Sequence, residues 1–188
     1  WSSVIAAFLQ SERPRVNDEE RGCEAEYYLD TSIVMGLLDL STVENQVSAS
    51  DVCDIIKSSG GSLKVHPATL EEIKTILASV AQNGAYPGTS IANACTRRNL
   101  DAPYIMKINV NLYKEVEKIG LQVFPASVTD CRRTVLNKYR GKPVLKELAD
   151  MRSYNASDSS YSYSSSDQFR EAHDIYMDDY IRDVRKAK

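Results

Sequence analysis

Histidine is nearly absent from this 188-residue chain, with only His66 and His173, and cysteine, proline and glycine are sparse at four, six and eight. With two imidazoles, no Ser-His-Asp or Cys-His arrangement for nucleophilic catalysis presents itself, and His173 falls in the middle of an apolar helical arc, where it reads as core. Cys23, Cys53, Cys95 and Cys131 stand 30, 42 and 36 residues apart. That spacing lacks the close ligand pair of a zinc site and the density of a disulfide-stapled secreted domain. The thiols therefore read as reduced and structural, as in a cytoplasmic chain. Low glycine and proline content excludes collagen-like sequence. Apolar stretches such as Ser32 to Leu40 fall far short of the ~20 residues that a membrane-spanning helix needs. An excess of one charge is missing too: 23 Lys and Arg against 26 Asp and Glu leave −3, so bulk charge does not mark a strongly basic nucleic-acid or membrane binder. The chain opens on Trp1 without the basic start and cleavage pattern of a secretory signal, and reads as an excised piece of a longer chain.

What is present is an ordinary globular composition, 43% hydrophobic and 26% charged, at a length suited to one domain over residues 1–188. The continuous apolar run "AEYYLD", Ala25 to Asp30, predicts a strand covered on both faces, and "TSIVMGLLDL" predicts a helix opening at Thr31 and Ser32. Ser50 and Asp51 can cap a second helix that stops at Gly60-Gly61. "SLKVHP" alternates as a short strand, and Thr69-Leu70-Glu71-Glu72 has capping-box spacing, with Thr69 as N-cap and Glu72 in the first turn. Helices follow over Thr89–Asn99 and Pro103–Ile119, then a strand in "LQVFPA", a helix over Thr129–Arg140 and a short one over Lys142–Met151. Residues 153–166 hold eight serines and read as a mobile loop, after which Asp167 caps a last long helix. Strands alternating with helices predict an α/β fold with a parallel sheet, whose ligand site lies beyond the carboxyl ends of the strands.

Acids gather at that edge. Asp30 ends a buried-looking strand, where a charge needs a partner or a metal. Glu72 has a plain role available as a capping glutamate. On the last helix Asp167, Glu171, Asp174 and Asp178 share one stripe, with Asp174 at the margin of the apolar arc, and a solvated acidic face is the plain alternative. Several carboxylates converging on one edge raise each other's pKa and favour a hard divalent cation, Mg²⁺ or Mn²⁺.

The segments "YYLDTSIVMGLLD", "VHPATLEEI" and "FREAHDIYMDDYI", in that order, resemble the motif series of PIN-domain nucleases: a strand ending in Asp-Thr/Ser, a Thr-x-x-Glu helix start, and an Asp early in a later helix. The resemblance covers Tyr27 to Ile76 and Asp167 to Ile181, with the span between unmatched. It implies a three-layer PIN-like fold, a central parallel sheet flanked by helices, with a helical insertion. It also implies a divalent-metal-dependent endonuclease, with a ribonuclease favoured, in which Asp30, Glu72 and Asp174 act as catalytic metal ligands. Asp178 is a fourth candidate ligand, with a solvated role favoured. An activated water would attack phosphorus and leave a 5′-phosphate and a 3′-hydroxyl. The family's Thr-x-Asp acid would lie beyond Lys188, which leaves the site incomplete. Ser32 is a candidate to position metal or phosphate. Arg97, Arg98, Arg132 and Arg133, with Lys138 and Arg140, are candidates to hold the backbone. RNA is the expected partner, with DNA as the alternative; a regulatory domain, an antitoxin-like protein and a homodimer are further partners. The competing reading is a degenerate PIN-like module that binds RNA or protein without catalysis. Other acid motifs fit worse: a haloacid-dehalogenase-like phosphatase needs Asp where Ser32 stands, and an adhesion-type Asp-x-Ser-x-Ser fails at Val34.

Overall fold

A computed structural model describes residues 25–124, 131–139 and 165–187. Among these, three short strands and seven helices form an α/β arrangement. In chain order they are β1 (Glu26–Tyr28), α1 (Thr31–Leu37), α2 (Val43–Ser58), β2 (Ser62–Val65), α3 (Pro67–Asn83), α4 (Ser90–Arg98), α5 (Ala102–Lys118), β3 (Gln122–Val123), α6 (Cys131–Tyr139) and α7 (Ser165–Ala187). The sheet is parallel throughout, in the order β1-β2-β3. Tyr27 stands opposite Leu63, and Val65 opposite Val123. Central β2 buries Leu63, Lys64 and Val65, and Lys64 is only 8% exposed. Its charge is matched by Glu26 on β1 at 2.9 Å, and its ammonium lies 4.3 Å from the Phe124 ring centre.

Local chemistry explains most element boundaries. Asp30 caps α1, Thr42 caps α2, Thr89 caps α4 and Asp101 caps α5, each side chain accepting from a backbone N–H of the first turn. Where α2 meets β2, Gly60 has φ +79 and Gly61 leaves room for the Tyr27 ring; a Cβ there would stand 2.6 Å from Tyr27 Cε2. At Gly36 a Cβ would meet Ala49 Cβ and the Asn45 carbonyl oxygen, both at 3.0 Å, so this glycine permits the close approach of α1 to α2.

Several boundaries differ from expectation. The second helix starts at Val43, eight residues before Asp51, because Thr42 takes the Asn45 N–H at 3.2 Å. The third starts at Pro67, because His66 Nδ1 accepts from Ala68 N–H at 3.0 Å and Pro67 needs no N–H partner. Thr69 is thus inside the first turn and Glu72 beyond it, and the capping box between them does not form. Asp167 lies within α7 rather than at its cap, and Ser165 and Ser166 are helical. The expected helix over Lys142–Met151 and the remainder of the 153–166 loop lie outside the described residues.

Two apolar clusters result. The larger joins the sheet to α1–α5 through Leu29, Val34, Val65, Leu70, Ile73, Leu77, Ile105 and Leu112. The smaller gathers Ala68 at the start of α3, Val135 and Tyr139 of α6, and Phe169 and Ala172 of α7. It is this second cluster that brings α7 to the carboxyl edge of the sheet. No described helix is long and apolar enough to cross a membrane.

Candidate acidic site

The site is built where β1 and β2 end. Asp30 follows β1 by two residues, and its Oδ2 accepts from Ser32 Oγ at 3.0 Å and from Ser32 N–H at 3.4 Å. Ser32 therefore holds Asp30 in its capping geometry. After β2, the start of α3 presents Thr69 and Glu72 three residues apart, on one helical face. Glu72 is only 7% exposed, and its Oε2 accepts from Thr31 Oγ1 at 2.5 Å. From α7 come His173, 1% exposed, and Asp174, whose side chain is 52% exposed. His173 Nε2 lies 3.2 Å from Thr69 Oγ1, and Nδ1 lies 3.4 Å from both Glu72 Oε2 and Asp174 Oδ1.

Electrostatics ties these groups together. Burial is the largest influence on Glu72 and raises its pKa; His173 and the Thr31 hydroxyl oppose this, while the charges of Asp174 and Asp30 add to it. Burial alone would lower the His173 pKa, but its hydrogen bond to Asp174 and the charges of Glu72, Asp174 and Asp30 turn the net shift upward. Both partners thus retain a proton more readily than usual. Asp30 and Asp174 thus lie close enough for their charges to act on both Glu72 and His173.

Beside this group lies His66, fully buried, with Tyr176 and Tyr180 ring centres at 5.2 and 4.7 Å and the Tyr28 hydroxyl 3.3 Å from that of Tyr180. Its Nε2 has no hydrogen-bond partner among the described residues. Desolvation, with a contribution from His173, pushes its pKa down to about 4.

The remaining candidates are placed elsewhere. Asp178 pairs with Arg182 at 2.7 Å on an exposed part of α7 and does not join the three acids. Arg97 and Arg98 both bind Asp39, and they also donate to the carbonyls of Ser41 and Asp39 respectively, so their described contacts tie the α1–α2 turn to α4. The substrate-positioning role expected for this pair gains no support from those contacts. Arg133 is exposed on α6, and Lys138 lies 3.7 Å from Asp179 and over the Tyr139 and Tyr176 rings. Arg132 belongs to α6 with its side chain outside the described residues, as is the whole of Arg140.

Oxygen donors at a sheet edge have the chemistry that Mg²⁺ or Mn²⁺ prefers. As the side chains stand, however, Glu72 is engaged by Thr31 and His173, and among the described residues no group of three or more His, Cys, Asp and Glu side chains is arranged to hold a metal ion. The donor set fits a divalent ion by type, and since Thr31 and His173 both contact Glu72 through Oε2, Oε1 is the oxygen that would face such an ion. The sequence reading missed His173 and Thr31. His173 immediately precedes Asp174, which was the available signal, but its contact with Thr69 spans 104 residues and needs the packed helix to appear.

No protein-family model matches the chain, and no curated protein and no solved structure matches it.

Proposed function

We propose that the chain is a divalent-metal-dependent nuclease with RNA as its favoured substrate, built on a three-layer PIN-like fold with a helical insertion. The observation that carries this reading is the buried Glu72 at the carboxyl edge of a parallel sheet, under the charges of Asp30 at the cap of α1 and Asp174 of α7. Burying a carboxylate beside two others costs stability, and such an arrangement is most readily explained by a function that uses it. Asp30, Glu72 and Asp174 would hold Mg²⁺ or Mn²⁺, which when bound supplies charge neutralisation and an activated water for phosphodiester hydrolysis. Ser32 keeps Asp30 oriented, Thr31 keeps Glu72 oriented, and Asp174 stands on the solvent side, where a phosphate would approach. Arg133 and Lys138 on α6 remain the candidates for backbone contact, since α6 packs on α7.

The test is cleavage of single-stranded and structured RNA, with DNA alongside, in Mn²⁺. The parent chain is expected to cleave, and Asp30→Asn and Glu72→Gln to lose cleavage while keeping their circular dichroism. Equal cleavage by parent and variants rejects the site. A second reading, a PIN-like module that binds RNA or a protein without catalysis, is favoured by one observation: Glu72 already accepts a hydrogen bond from Thr31 and has the His173 ring 3.4 Å away. Absence of both Mn²⁺ binding and cleavage, with RNA or protein binding retained, selects it.

A further inference from the structure

We propose that His173 is a positioning residue of the acidic site, its ring clamped by the Thr69 hydroxyl so that its Nδ1–H bonds Asp174 and faces Glu72, setting the two acids relative to each other. Its consequence for metal binding rests on the nuclease reading, whereas the hydrogen-bond device itself does not.

With Glu72 and Asp174 ionised, the atoms allow one arrangement of the neutral ring. Ionised carboxylates only accept, so the ring nitrogen that lies 3.4 Å from both Glu72 Oε2 and Asp174 Oδ1 must be the one that carries the proton. That nitrogen is Nδ1. In a neutral ring Nε2 is then the acceptor, and the group 3.2 Å away, Thr69 Oγ1, must donate to it. Donation therefore runs from Thr69 through the imidazole to Asp174, with Glu72 Oε2 facing the same N–H at 3.4 Å. Thr69 and His173 are each 1% exposed and Glu72 is 7% exposed, so turning the ring would strand buried polar atoms. The Phe169 ring, 6.3 Å away between centres on the preceding turn of α7, packs beside it. Thr69 and Glu72 belong to α3, while His173 and Asp174 belong to α7. One imidazole thus sets the spacing of two carboxylates from different elements, and Thr31 fixes the same Glu72 oxygen from α1. Residues that orient ligands in this way typically change metal affinity by about 10–100-fold when removed.

Two measurements test this. Ring ¹⁵N NMR of the metal-free chain at alkaline pH, where the imidazole is neutral, should show His173 protonated at Nδ1, and Thr69→Val should shift it toward the Nε2–H form. A parent ring protonated at Nε2 overturns the proposal. Mn²⁺ titration then compares the parent with His173→Phe, which keeps a ring and loses the donor, and with His173→Asn, whose amide N–H can stand near the Nδ1 position. The phenylalanine variant should bind Mn²⁺ about 10–100-fold more weakly and the asparagine variant within about threefold of the parent. Equal affinity in the parent and His173→Phe overturns the positioning role. Should His173→Phe fail to fold, Thr69→Val, which keeps the imidazole, takes its place in the titration, with weaker binding supporting the clamp and unchanged binding overturning it. An Nδ1–H ring in a parent that binds no Mn²⁺ supports the hydrogen-bond device and removes the nuclease reading alone.

Discussion

Glu72 is where function and stability pull apart. Its carboxylate is buried, chiefly desolvated, and further burdened by Asp174 and Asp30, so its raised pKa means that folding at neutral pH must either confine a charge or take up a proton. An acid of this kind makes its smallest demand on stability below its ordinary pKa and its largest above the raised one. Glu72→Gln retains an acceptor for the Thr31 hydroxyl and loses the charge. The expected result is a more stable but inactive chain, with a thermal midpoint at pH 7.5 higher by about 2–4 °C, the shift that about 1 kcal/mol makes at this size. A lower midpoint would show that the carboxylate supports the fold. His66 has a pH signature of its own. Its folded-state pKa of about 4 lies below the ordinary value of 6.5, so between those limits the unfolded chain binds a proton that the folded chain refuses. The stability it contributes is fully present above pH 6.5 and is lost as pH falls toward 4, to a total of about 3 kcal/mol. His66→Asn keeps an N-cap acceptor and cannot titrate. Urea unfolding from pH 7.5 to 4.5 should therefore show a steeper acid-side loss in the parent than in His66→Asn, and parallel curves would refute the assignment. The raised pKa of His173 acts oppositely, its contribution being present below 6.5 and lost as pH rises through the higher folded value. That is why the comparison must be made between variants at one site rather than on the parent alone.

At the scale of elements, contacts between neighbours in sequence were legible and contacts between distant segments were not. Strand β1, strand β2 and the helices that follow them could be read from "AEYYLD", "SLKVHP" and the apolar spacing after each. The cap of α3 could not, because Thr69 has the right residue type at nearly the right place, and only packing shows that its hydroxyl is taken by His173 and that His66 does the capping. The paired arginines teach the same point. Arg97 and Arg98 look like a phosphate clamp in sequence, yet in the fold they close on Asp39, whose left-handed backbone at φ 57 turns the chain from α1 toward α2. Partly buried and bonded also to backbone carbonyls, they act as a brace between that turn and α4. Arg97→Ala and Arg98→Ala should each lower stability by about 1–2 kcal/mol, with a double variant less than additive because they share Asp39. RNA affinity should change by less than twofold in either. A strong loss of RNA binding without loss of stability would restore the clamp.

Over the whole molecule, three acids distant in sequence are gathered by two clusters of apolar packing. The larger cluster holds β1 and α3 in register and thereby sets Asp30 near Glu72, while the smaller one docks α7 and delivers Asp174 with His173. The strand ends and helix starts that carry Asp30 and Glu72 are local features and could be read from the sequence; the place of His173 against Thr69 was legible only once α7 was docked. A net charge of −3 understates the strain, because part of the negative charge is concentrated at one edge. A ligand that binds only the folded form stabilises it by mass action, by about 2.7 kcal/mol at a hundred times its Kd. Mn²⁺ at that excess should therefore raise the thermal midpoint of the parent by about 5–10 °C. Asp30→Asn should abolish most of that rise, because it removes the acid that caps α1 without touching the packing that docks α7. Asp178→Asn should keep the full rise, because Asp178 is paired with Arg182 away from the three acids. A midpoint that rises equally in Asp30→Asn would locate the ion elsewhere, and a rise lost equally in Asp178→Asn would return that residue to the ligand set.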